Sequence, residues 1–185
     1  MKFLKFFIII FISLTTSIKA DLNKKLINQL EDGGKLIFIR HAYAPGNGDP
    51  NNFNLNDCST QRNLNSNGRK QAKDIGNFFR ENKIKIYKVL SSEWCRCKET
   101  ADIAFKDFST NNFLNSFYSA KFRKNKDKQV EALNNYVKKF EGNKNLIFVT
   151  HYVLISEVLN YGPSSGEIVV SDKNFNIVGT IEIDY

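Results

Sequence analysis

Two histidines are present in the 185 residues, and each follows the same kind of stretch. Leu36-Ile37-Phe38-Ile39-Arg40 runs into His41, and Leu146-Ile147-Phe148-Val149-Thr150 runs into His151. Two guanidiniums accompany them. Arg40 adjoins His41, and Arg96 follows a third apolar run around Val89-Leu90. A guanidinium presents a rigid fork of N–H donors that matches the oxygens of a phosphoryl group. A neutral imidazole nitrogen can attack phosphorus, and phosphoryl transfer otherwise depends on positioning and charge. No acidic residue adjoins either histidine, which argues against a serine-hydrolase triad. Two histidines are also fewer protein ligands than a catalytic zinc usually takes.

These residues need elements that bring them together. Short, unbroken apolar runs rich in β-branched and aromatic residues fit strands buried on both faces of a parallel sheet. Ligands bind such sheets outside the carboxyl ends of the strands, where both histidines would stand. The order along the chain reads helix, with Leu22, Leu26, Ile27 and Leu30 on one face behind a capping Asp21, then strand 35–40 and a long loop 42–65. Next come helix 66–82, strand 85–91, helix 93–105, a short strand 113–118, amphipathic helix 128–140, strand 145–150, helix 151–161, and closing strands 167–171 and 175–183. This alternation predicts a mostly parallel sheet between helical layers. The 42–65 loop is rich in Gly, Pro, Asn and Asp and starts at His41, so it is expected to wall the site. Residues 121–128 hold five basic side chains, readable as a solvated stretch or as a positive rim that draws in anions.

Residues 1–20 read as a secretory signal peptide: Lys2 and Lys5 precede an uncharged apolar run from Phe6 to Ile18, and Ala20 offers a cleavage point. One domain, residues 21–185, is expected to follow. Removing Lys2, Lys5 and Lys19 would take the net charge from +8 to about +5, which favours anionic partners. No nucleic-acid motif accompanies that charge, and no later segment has the length and apolarity to cross a membrane. A periplasmic or secreted location would be oxidising, so two of Cys58, Cys95 and Cys97 should pair. Cys95 and Cys97 on one helix point apart, which leaves Cys58 with either; Cys58–Cys95 is the favoured pair. Zinc binding by these cysteines lacks the usual paired spacings.

Four blocks together resemble the histidine phosphatase (phosphoglycerate mutase-like) superfamily: Arg40-His41-Ala42 after a buried strand; Arg62-Asn63-Leu64 through Ala72; Val89-Leu90-Ser91-Ser92 with Arg96-Cys97-Lys98-Glu99-Thr100-Ala101; and Phe148-Val149-Thr150-His151. The resemblance implies a three-layer α/β/α sandwich. It implies that His41 becomes a transient phosphohistidine while Arg40, Arg96 and His151 hold the phosphoryl oxygens, with no metal or other cofactor. Asn47 and Arg62 would touch substrate. Many family members carry a glutamate after the second block that protonates the leaving oxygen. Residues 108–126 contain no Asp or Glu, so that role falls open to Glu167, Glu93 or Asp49, or to none. The expected function is an exported phosphatase acting on phosphomonoesters, with a phosphorylated small molecule such as an envelope sugar phosphate as partner. The rival readings are a phosphohistidine protein phosphatase and a non-catalytic anion-binding protein on the same fold.

Overall fold

The computed structural model describes residues 24–185. The expected signal peptide, and Asp21 and Leu22 of the first helix, lie outside the described residues. A helix at 24–32, α1, leads through the left-handed Gly33 and Gly34 into β1 (Leu36–Arg40). Then follow α2 (Ser66–Glu81), β2 (Ile86–Ser91), α3 (Cys95–Phe105), β3 (Ser109–Thr110), α4 (Ala120–Arg123), α5 (Lys126–Lys138), β4 (Asn145–Thr150), α6 (Tyr152–Leu159), β5 (Ile168–Ser171) and β6 (Ile177–Ile181).

Six strands form one sheet in the order β3-β2-β4-β1-β5-β6. The first four are parallel, and β5 and β6 join antiparallel at one edge. Alternation along the strands divides the core in two. Ile37, Ile39, Val89, Ile147 and Val149 pack under Leu30 of α1, Ile75 and Phe79 of α2, and Ala101 and Ala104 of α3. Leu36, Phe38, Leu90, Leu146 and Phe148 pack on the other face, under Leu133 and Val137 of α5 and Leu154, Ile155 and Leu159 of α6. The result is the expected α/β/α sandwich with a mostly parallel sheet. Strands buried on both faces have no polar side, and this is why their sequences show no alternation.

One element differs from expectation. Residues 113–118 do not form a strand. Asn111 accepts a hydrogen bond from the Phe113 N–H at 3.2 Å and starts a 3-10 turn, Asn112–Leu114, which drives Phe113 and Leu114 into the core together. Two adjacent residues cannot both face one side of a strand. The edge strand is instead the two-residue β3 upstream. The basic stretch at 121–128 is also helical over most of its length, in α4 and the start of α5.

Candidate active site

The pairing of β1 with β4 builds the centre of the site. The two strands run parallel, with Leu36 opposite Leu146 and Arg40 opposite Thr150, so His41 and His151 leave the sheet side by side. The His41 N–H continues the ladder to Thr150 O at 2.9 Å. The two imidazoles meet edge to face with centroids 5.5 Å apart. On the far side of β4, Ser91 pairs with Val149, and the Ser92 N–H donates to Val149 O at 2.9 Å, bringing the second block to the same end. From there the first turn of α3 sends Arg96 back across the crevice.

His41 has a defined tautomer. Its Nδ1 lies 2.8 Å from Ala42 O, an acceptor, so Nδ1 carries the proton. Nε2 accepts from Arg96 Nε at 3.2 Å and therefore presents a lone pair. Burial, and then the Arg96 charge, holds both His41 and His151 well below the ordinary imidazole pKa. Both rings are neutral at pH 7.

Arg96 is oriented from behind. Its Nη1 and Nη2 reach Asp49 Oδ1 and Oδ2 at 2.7 and 3.3 Å, leaving the Nε side toward His41. Trp94 Nε1 and the Arg62 N–H also donate to that carboxylate, at 3.0 and 3.1 Å. Burial works against the charge on Asp49, but Arg96 and these donors outweigh it and hold the carboxyl below its ordinary range. Arg40 is tethered through Nη1 to Pro163 O at 2.9 Å and lies over the Tyr152 ring at 5.5 Å; its buried Nε meets no acceptor. Arg62 is held by Gly48 O and Ala44 O, and its pKa is pushed down to about 10, by burial first and Arg96 second. Among the described residues no three His, Cys, Asp or Glu side chains converge to hold a metal ion.

These groups open into a cleft of about 450 Å³. His41, His151, Arg40, Arg96, Asn47 and Arg62 all line it, as does Lys121 from the basic stretch. Glu167 does not, and the expectation for it is corrected. Its two oxygens are taken by Tyr161 Oη and the Ser164 N–H, each at 2.6 Å, which fixes the turn after α6. Glu93 also faces elsewhere, accepting from Asn115 Nδ2 at 2.6 Å. Asp49 is the one carboxylate lining the cleft among the described residues, and it is committed to Arg96.

The 42–65 loop walls the cleft through residues 46–51, Phe53 and Arg62. The Cys58–Cys95 disulfide staples it to the start of α3, while Cys97 stays a buried thiol. Gln71 of α2 ties the site from outside, accepting from the Tyr43 N–H at 2.8 Å and donating to Ser165 O at 2.7 Å. Gly68 lets α2 approach this closely, since a Cβ there would run into Tyr43 O. Sequence reasoning missed Ser92 and Asn115, whose contacts with His151 and Glu93 depend on segments far apart in the chain.

Residues 36–116 match the family described as Histidine phosphatase superfamily (branch 1). No curated protein matches the chain. Among solved structures, phosphoglycerate mutase from Thermus thermophilus superposes with a TM-score of 0.60 at 14% identity, covering 81% of this chain and 99% of that one. The protein histidine phosphatase SixA complexed with tungstate gives 0.52 at 16%, covering 81% and 96%. The product of open reading frame Rv3214 from Mycobacterium tuberculosis gives 0.57 at 13%, covering 81% and 96%. At these identities the structural likeness concerns the fold. The family match and the fold neighbours agree with the superfamily that the four sequence blocks resemble.

Proposed function

We propose, with the histidine phosphatase superfamily as premise, that this chain is an exported phosphatase that works through a phosphohistidine on His41. The observation that carries the proposal is the His41 Nε2 lone pair, held neutral and aimed into a cleft whose other lining groups include Arg40, Arg62, Arg96 and His151.

As a phosphoryl oxygen takes over the Arg96 Nε–H, the freed Nε2 lone pair attacks phosphorus, and the bond from phosphorus to the leaving group breaks with its electrons staying on that group. Arg96 Nε, Arg40 Nε and His151 hold the phosphoryl oxygens as their charge redistributes. The proton on Nδ1 stays there, hydrogen-bonded to Ala42 O, so the ring behaves as a positioned nucleophile rather than a proton carrier. Water then attacks the phosphohistidine, the P–N bond breaks, inorganic phosphate leaves and Nε2 regains its lone pair.

No carboxylic acid among the described residues stands ready to protonate the leaving group, because Asp49 is ionised against Arg96. Phosphomonoesters with stable leaving groups fit this site best. The same observation favours a second reading, hydrolysis of phosphohistidine itself, whose imidazole departs easily; one fold neighbour is described as a protein histidine phosphatase. The disulfide suits an oxidising compartment, and no helix among the described residues is long and apolar enough to cross a membrane. The disulfide supports export, and the proposed ester is an envelope sugar phosphate linked at the anomeric carbon, whose leaving oxygen is the least basic that a sugar offers.

The test is turnover of an aryl phosphate and a phosphohistidine peptide by wild type and by His41→Ala, with acid-labile phosphate trapped on the enzyme by rapid quenching. Loss of turnover and of trapped phosphate in the variant is expected. Equal, negligible rates in both proteins would overturn catalysis in favour of an anion-binding protein.

A further inference from the structure

We infer that Glu93, Asn115 and Ser92 form a positioning chain that fixes the proton of His151, so that this ring enters phosphate binding as a proton acceptor. The inference rests on the phosphatase reading for its purpose, but its geometry stands alone.

Each link has a defined direction. Asn115 Nδ2 donates to Glu93 Oε2 at 2.6 Å. Asn115 Oδ1 therefore faces the other way, where it receives the Glu93 N–H at 2.9 Å and lies 3.0 Å from Ser92 Oγ. An amide oxygen only accepts, so the one hydroxyl hydrogen of Ser92 goes to Asn115. The remaining Ser92 contacts must be donors to it. These are the Trp94 N–H at 3.3 Å and His151 Nε2 at 2.9 Å. His151 thus carries its proton on Nε2 and a lone pair on Nδ1. This is the tautomer opposite to that of His41, whose ring centroid is 5.5 Å away.

That lone pair matters to an oxyanion. Nδ1 of His151 has no oxygen or nitrogen hydrogen-bond partner among the described residues; Cys97 Sγ lies 4.0 Å from it and 3.5 Å from Nε2, where Ser92 Oγ at 2.9 Å is the closer and stronger partner. A fully ionised oxyanion offers only acceptors, so a hydrogen bond at Nδ1 requires a second proton on the ring. Without an oxyanion, burial and the charges of Arg96, Arg62 and Arg40, with the neighbouring His41, keep that proton off. Cys97 beside the ring is also neutral, its thiol pushed up to about 12, and the Asp49 charge is committed to Arg96. An arriving dianion reverses the balance, and Nδ1 takes up a proton from solvent. Glu93 is the negative end of a hydrogen-bond chain whose links strengthen as the ring becomes imidazolium. Glu93 and Asn115 touch no substrate; they act through Ser92.

With two histidines in the chain, the test is direct. Protein labelled with 15N-histidine gives two ring patterns, assigned with His41→Ala, and inorganic sulfate serves as an oxyanion that does not titrate near neutrality. Wild type is expected to show the Nε2–H tautomer at His151, converting to imidazolium when sulfate binds. Asn115→Leu frees the Ser92 hydrogen to donate to Nε2, and the ligand-free tautomer of His151 should invert while the His41 pattern holds. Glu93→Gln keeps the shape and removes the charge; the pKa of sulfate-bound His151 should fall by about one unit, a tenfold change in its proton affinity. The double variant Glu93→Gln, Asn115→Asp returns a carboxylate to the chain, with the new amide at position 93 as its donor, and should restore that pKa. Melting temperatures confirm that each variant is folded. An unchanged tautomer in Asn115→Leu, or an unchanged pKa in Glu93→Gln, overturns the inference. Aryl phosphate turnover measured alongside keeps the two ideas apart: a His41-dependent rate with an unmoved His151 sinks the positioning chain alone, whereas a His41-independent rate sinks the phosphatase reading alone.

Discussion

Arg96 donates from Nε to His41 Nε2 at 3.2 Å while its Nη atoms grip Asp49. One guanidinium thus joins the proposed nucleophile to the carboxylate that lines the cleft. The Nε side is the part of Arg96 that an incoming phosphoryl oxygen would share with His41. The opposite end is anchored on Asp49, which fixes the orientation of the guanidinium, and a fixed donor is the condition under which charge stabilisation is most effective.

Arg96→Lys is expected to lower kcat/KM for an aryl phosphate by about 10²–10³-fold, the scale of removing one preorganised donor. A lysine keeps the charge but cannot hold Asp49 and face His41 at once. Steady-state kinetics checks this, and a loss under about threefold would show that charge alone suffices.

Asp49→Ala leaves Arg96 buried without its counter-ion. The expected cost is about 3 kcal/mol of stability, the low end for a broken buried pair because Asp49 is partly exposed. Asp49→Asn keeps an oxygen for Arg96 and should cost less. Urea denaturation separates the two. If Asp49 were instead the acid for the leaving group, both variants would lose activity on poor leaving groups selectively, whereas positioning of Arg96 predicts losses across all esters.

The disulfide closes a loop across 37 residues that includes part of the cleft wall. Cys58→Ser with Cys95→Ser should lower stability by about 3–4 kcal/mol on the loop-entropy scale. It should also raise KM more than it lowers kcat, because His41 and His151 stand on the sheet and the loosened residues stand around the substrate. Thermal melts and kinetics with and without a reductant test both parts.

Acid sensitivity should begin with the histidines. Both imidazoles have pKa values pushed well below 6.5, by burial first and Arg96 second. The unfolded chain binds protons that the fold refuses, so stability holds above pH 6.5 and falls as pH drops below it, by about 1.4 kcal/mol per unit for each ring. The Asp49 contribution runs at lower pH: its carboxyl is depressed below 3.8, and its stabilisation is lost only as pH falls through that region. A melting temperature that falls as pH drops below about 6.5 in wild type, and falls less steeply in His41→Gln, His151→Gln, is the expected result. Matching slopes would refute it.

The strands, the layers and the four central residues are all legible in the chain alone. Leu36–Arg40 and Asn145–Thr150 are readable because a strand covered on both faces must be apolar throughout, and a histidine after each marks the end where ligands bind. Which polar groups answer those residues emerges only from the folded arrangement. The carboxylates show it best: Glu167, Glu93 and Asp49 are equal candidates in the chain, yet one fixes a turn, one ends a hydrogen-bond chain and one holds Arg96. Local periodicity reports burial, a property of each residue with its near neighbours. A hydrogen bond between Asp49 and Arg96, or between Ser92 and His151, depends on strand register and loop path across 47 and 59 positions, and a single chain carries no local signal for that.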